Sequence, residues 1–154
     1  MTEYFRFKKV WFLSPFIQIL IMAILFISIA ILGKLCILKT GLLFGRPNTF
    51  YLETLFAPIY EEIIFRGIIF GLLLKHYPLA KAILFSSLLF GLWHLKNIFF
   101  IDTVEVLKQM CYTGFIFGPI MCLIAYKTKT IWIASIIHYL NNGISFFIIY
   151  YTSI

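Results

Sequence analysis

Long uncharged apolar runs alternate with short polar breaks along the whole chain. The first runs from Val10 to Gly33, between Lys9 and Lys34, and as a helix it would extend about 36 Å, enough to cross a bilayer. It is too long for the apolar core of a signal peptide, so it reads as a retained membrane helix. Leu35 to Phe44 is apolar but short and bracketed by Lys34, Lys39 and Arg46, which fits either an interfacial turn of helix or an extension of the first one. Further runs follow at Leu55 to Leu74, Ala80 to Leu95, Gln109 to Tyr126 and Ile131 to Tyr151, with Lys75-His76-Tyr77-Pro78, Asp102 to Lys108, and Lys127 with Lys129 between them. The pattern predicts an all-α, polytopic membrane bundle of about five (four to six) transmembrane helices. It forms one membrane domain over 1–154, with an N-terminal membrane helix at 10–33 and a core at about 54–150.

Composition agrees with this and excludes the soluble classes. Of the 154 residues 62% are hydrophobic and 12% charged, against roughly 45–50% and about 25% in soluble domains. The net charge of +7 would raise nucleic acid in a soluble protein, but here the basic residues flank apolar runs. They read as anchors against anionic headgroups of the lipid bilayer, and no nucleic-acid partner is expected. Arg6, Lys8, Lys9, Lys75, Lys81, Lys127 and Lys129 fall on one side, and Lys34, Lys39, Arg46 and Lys96 on the other, with Lys108 unassigned. That bias places the N-terminus in the cytoplasm. Cys36, Cys111 and Cys122 are irregularly spaced in apolar sequence and read as buried residues outside any disulfide framework. Gly67 with Gly71, and Gly114 with Gly118, have the small-xxx-small spacing of tight membrane packing, while Pro58 and Pro119 are expected to kink or open their helices.

The polar residues inside the runs point to chemistry. Charge at mid-bilayer costs about 2.5–3.5 kcal/mol per residue on translocon scales, so Glu61, Glu62 and Arg66 within six positions require partners inside the bundle. Glu62 and Arg66, at i and i+4, lie about 40° apart on a regular helix in the favourable acid-first order. Glu61 is about 140° from Arg66 and is the less satisfied acid, which suits a general base. His94 and His138 are the histidines within apolar runs, and Asn142, one turn after His138, shares its face. Glu61, His94, His138 and Asn142 together supply a base, a second polar group and two oxyanion donors, an inventory for adding water to a carbonyl. The same residues leave open a structural role for the Glu–Arg pair and a path for ions or protons.

The ordered runs Glu61-Glu62-Ile63-Ile64-Phe65-Arg66, Phe90-Gly91-Leu92-Trp93-His94 and His138-Tyr139-Leu140-Asn141-Asn142 resemble the motifs EExxxR, FxxxH and HxxxN of the CAAX protease and bacteriocin-processing (CPBP, or Abi) family, over about residues 57–142. The resemblance implies an intramembrane endopeptidase acting on a peptide or membrane-protein substrate. It implies that Glu61 and His94 activate water, that His138 and Asn142 stabilise the oxyanion, and that Glu62, Arg66 and Phe90 support the site. No cofactor is expected in this glutamate mechanism. The zinc alternative would use Glu61, His94 and His138 as a His₂Glu set with an open position, but HExxH is absent and Asn142 with the paired acids favours the metal-free chemistry.

The chain is short beside larger members, which argues against true CAAX processing. It points instead to a bacterial plasma-membrane protein in bacteriocin maturation or self-immunity. A non-catalytic immunity or interaction protein that keeps the fold is the alternative. A transporter ranks last, because the polar residues cluster rather than line a path and no internal repeat is visible.

Overall fold

The computed structural model describes residues 2–40 and 51–152, which form helices joined by short turns. Helix α1 is Pro15–Thr40. Helix α2 covers 51–76 without a break, as an α segment Tyr51–Glu62, a π segment Ile63–Phe70 and a last α turn Gly71–His76. Helix α3 is Leu79–Phe99, its final stretch His94–Phe99 tightened into 3₁₀ geometry. Helix α4 is Thr103–Thr128 with a π segment at Tyr112–Phe117, and α5 is Trp132–Thr152. Among the described residues three helices, at Pro15–Lys39, Leu79–Phe99 and Thr103–Thr128, are long and apolar enough to cross a membrane. The other two carry the acids and His138.

The first helix departs from the expected bounds at both ends. It begins at Pro15 rather than Val10, because Val10 and Leu13 close a tight turn through Trp11 at φ 50°, and proline, lacking an N–H, suits a helix start. It runs on to Thr40, so residues 35–40 of the undecided segment extend this helix, while 41–44 lie outside the described residues. Its outward positions Phe16, Leu20, Ile24, Ile27, Ile31 and Leu38 are exposed, and the seam at Gln18, Ile29 and Cys36 is buried. Both faces are apolar because one meets lipid and the other meets α5.

Helices α2 to α5 pack as a tight group. Gly91 of α3 lies against the backbone of α4: a Cβ there would come within 2.9 Å of both Gly114 Cα and Met110 O. That close approach is what small residues permit where lipid supplies no hydrophobic drive. None of the three cysteines is in a disulfide, and Cys111 is exposed rather than buried because it lies on the outer face of α4.

The segment before α1 folds back across the bundle as a strap. Ile131 N–H donates to Tyr4 O, Trp132 Nε1 to Phe5 O and Thr130 Oγ1 to Arg6 O, while the Phe7 and Trp132 rings stack at 4.5 Å. Phe5 reaches further, to Gly67 in the π segment of α2, where a Cβ would sit 2.6 Å from its ring. The strap and the turns at 77–78 and 129–131 lie at one end of the bundle, and Arg6, Lys8, Lys9, Lys75, Lys81, Lys127 and Lys129 fall in or close to them. Lys108, in the first turns of α4, belongs to the opposite end.

Gly91→Ala is expected to lower the stability of the detergent-solubilised protein by about 1–3 kcal/mol, the usual cost of overpacking. Gly143→Ala, whose Cβ would meet Ile29 at an ordinary 3.6 Å, should leave it unchanged or raised. Thermal unfolding of the two variants checks the difference.

Candidate active site

The two acids of α2 are held by different partners. Glu62 and Arg66 are fully buried and form an ion pair, with Arg66 Nη1 3.0 Å from Glu62 Oε1. The guanidinium also lies over the Phe90 ring, Cζ 4.2 Å from its centroid, and Nη2 reaches Gly118 O at 3.5 Å. A buried charge is tolerable only when paired and hydrogen-bonded, and α3 and α4 supply what α2 alone cannot. Glu62 Oε1 also accepts from His138 Nδ1 at 3.0 Å, so Glu62 ties α2 to α5. Sequence spacing pairs it with Arg66 but does not show this second bond.

Glu61 faces elsewhere. Its Oε1 accepts from the indole Nε1–H of Trp93 at 3.0 Å, and its Oε2 lies 3.9 Å from His138 Nε2. The second distance is longer than a hydrogen bond and leaves the pair an electrostatic contact across a small gap. With Nδ1–H donated to Glu62, Nε2 is the His138 atom turned toward Glu61.

His94 is fixed in a similar way. Its Nδ1 is 2.9 Å from Phe90 O, one turn back on α3, and 3.4 Å from Thr113 Oγ1. A carbonyl oxygen only accepts, so Nδ1 carries the proton and Nε2 is a lone-pair acceptor. Phe90 is buried at the centre of the group, its ring 5.0 Å from His94, 6.1 Å from His138 and 5.0 Å from Phe65. Asn142 lies one turn beyond His138 and its Oδ1 accepts from Asn141 Nδ2 at 3.4 Å, while Asn141 Oδ1 accepts from Tyr112 Oη at 2.8 Å. The structure therefore brings Glu61, Glu62, Arg66, Phe90 and His138 into direct contact. His94 is bound to this group through Phe90, whereas the side-chain bond of Asn142 goes to Asn141 and not to this group.

Both π segments border this cluster. The wide turn of α2 changes which N–H meets which carbonyl, and Ser86 Oγ of α3 donates to Phe65 O within it at 3.0 Å. On α4, Pro119 has no N–H to give, and the Gly118 N–H before it goes to Thr113 O. This places Thr113 against His94. Trp93, Thr113 and Ser86 were given no part by sequence reasoning. An aromatic and two small hydroxyl residues in apolar runs carry no signal of their own, though an indole beside a candidate histidine is a donor within reach of whatever that histidine serves.

Glu61, His94 and His138 are the set that would hold zinc. Among the described residues no three His, Cys, Asp or Glu side chains are placed to hold a metal ion.

The family model described as type II CAAX prenyl endopeptidase Rce1-like matches residues 45–144. The Bacillus subtilis (strain 168) protein named "Putative membrane peptidase YdiL" is 33% identical over 96 residues, which is 62% of this chain and 35% of that protein. The chain thus matches about a third of the length of this curated relative. No solved structure matches it.

Arg66→Met is expected to cost about 3–5 kcal/mol by stranding a buried carboxylate, and Arg66→Met combined with Glu62→Gln should cost less. Unfolding of the single and double variants in mixed micelles measures the coupling.

Proposed function

The chain belongs to the Rce1-like family of type II CAAX prenyl endopeptidases, and from that premise we propose that it is an intramembrane endopeptidase whose base is Glu61. The observation that carries this reading is the division of labour between the acids. Glu62 shares its Oε1 between Arg66 and His138, whereas Glu61 has one oxygen anchored by Trp93 and the other facing His138 Nε2 at 3.9 Å.

In the proposed reaction Glu61 takes a proton from a water that also donates to His94 Nε2. The hydroxyl oxygen adds to the peptide carbonyl carbon, and the carbonyl oxygen becomes an oxyanion. Asn142 Nδ2–H and, when its ring holds both protons, His138 Nε2–H stabilise that charge. Glu62 supports this second role because it accepts from Nδ1 and fixes the ring's orientation. Collapse breaks the C–N bond, and the proton held by Glu61 passes to the leaving nitrogen. The products are a carboxylic acid and an amine. Every step proposed here is carried by the chain's own residues and one water.

The substrate class is a peptide or membrane-embedded protein segment, since the cluster sits among membrane helices. We place this activity in bacteriocin maturation or self-immunity, in a bacterial plasma membrane with the basic, strap-bearing end in the cytoplasm.

Glu61→Gln, which keeps volume and removes the base, is expected to lower cleavage at least about 10²-fold, as are His94→Ala and Asn142→Ala to lesser extents. The variants are expressed to equal levels in a host challenged with a peptide toxin, and membrane-protein fragments are read by mass spectrometry with and without chelator. Wild-type cleavage unaffected by chelator supports the glutamate mechanism. Protection that survives Glu61→Gln with no fragments in any strain would make this a binding protein that keeps the fold.

A further inference from the structure

We propose that Trp93 is a positioning residue for the reaction, setting the orientation of the Glu61 carboxylate through its indole N–H; this rests on the reading of Glu61 as base. A carboxylate on a flexible side chain has two equivalent oxygens and several rotamers, and a base must present one oxygen to its water and hold it there. Among the described residues the arginine nearest in sequence, Arg66, serves Glu62 rather than Glu61. The donor it has is Trp93 Nε1, at 3.0 Å from Oε1.

Indole is suited to the task. It is a donor only, so it cannot compete for the proton that Glu61 takes. It is also rigid, and here its plane is fixed from two sides. Phe65 of the α2 π segment meets it edge-on, with centroids 5.9 Å apart at 67°, and Lys96 Nζ lies 4.3 Å from its centroid. Phe65 also packs on Phe90 at 5.0 Å, so the contact that orients Trp93 is continuous with the ring between the two histidines. With Oε1 claimed by the indole, Oε2 is the oxygen directed at His138. Trp93 is 37% exposed, so a core-packing role does not account for a large aromatic at this place. The residue directly precedes His94 on α3, and one turn of that helix therefore serves both partners of the water.

The test separates the hydrogen bond from the bulk of the ring. Position 93 is occupied by Trp93→Phe and by a tryptophan analogue with sulfur in place of the indole N–H. Trp11→Phe, at an exposed site far along the strap, is the control. Cleavage of a library of internally quenched peptides is measured in micelles, together with the indole ¹⁵N–¹H resonance of Trp93 in wild type and in Glu61→Leu. The proposal expects kcat to fall about 10- to 100-fold in both position-93 variants, the range for losing a hydrogen bond to a charged group. KM should be unchanged, the Trp11→Phe control normal, and the resonance displaced in Glu61→Leu. Full activity of the sulfur analogue, or a rise in KM alone, overturns it and leaves Trp93 a packing or substrate-contacting residue. An unmoved resonance overturns it by removing the bond. Absence of cleavage by the wild type removes the peptidase reading and this assignment together, and a resonance that still moves then marks the bond as structural.

Discussion

A buried ion pair inside a bilayer is the constraint from which the rest of the structure follows. Glu62 and Arg66 lie on one helix, and an isolated helix carrying them through lipid would bear a large desolvation cost that one intrahelical contact does not offset. The remaining helices close around the pair. Phe90 of α3 offers its ring face, Gly118 of α4 its carbonyl and His138 of α5 its Nδ1. Each contact that lowers the cost of the charges also fixes a residue of the site. The arrangement of the bundle and that of the cluster are therefore one problem with one solution.

The backbone contributes through its irregularities. Uniform α-helices would give every carbonyl a local partner and leave side chains at fixed 100° intervals. The π segments in α2 and α4 break that regularity beside the cluster, as such turns often do at functional sites. Ser86 takes up a carbonyl in one, and Thr113 moves against His94 in the other. Close approach at Gly91 and Gly114 then holds α3 and α4 at a separation where the short Thr113 hydroxyl reaches His94.

Much of this was legible in the chain. Alternation of apolar runs with charged breaks locates the helices, because lipid enforces hydrophobicity over whole spans. The i, i+4 spacing of Glu62 and Arg66 gives their pairing, and the polar residues inside the runs give the membership of the cluster. What was hidden depends on structure that periodicity does not encode. The start of α1 is set by a two-residue turn and a proline. The π segments change hydrogen bonding without changing composition. The bond from Glu62 to His138 joins residues 76 apart, and Trp93 looks like any lipid-facing aromatic until its indole is seen against Glu61.

The strap has a consequence for how the protein is made. Its hydrogen bonds join Phe5 and Arg6 to Trp132 and Thr130, across 127 and 124 positions of sequence. Residues 5 and 6 therefore dock only after residues 130–132 have been made. Only then does Phe5 come to rest on Gly67, beside Arg66. A nascent chain thus holds its charged helix before the strap can dock on it, and the Phe5 contact beside the cluster forms only once residues 130–132 are in place.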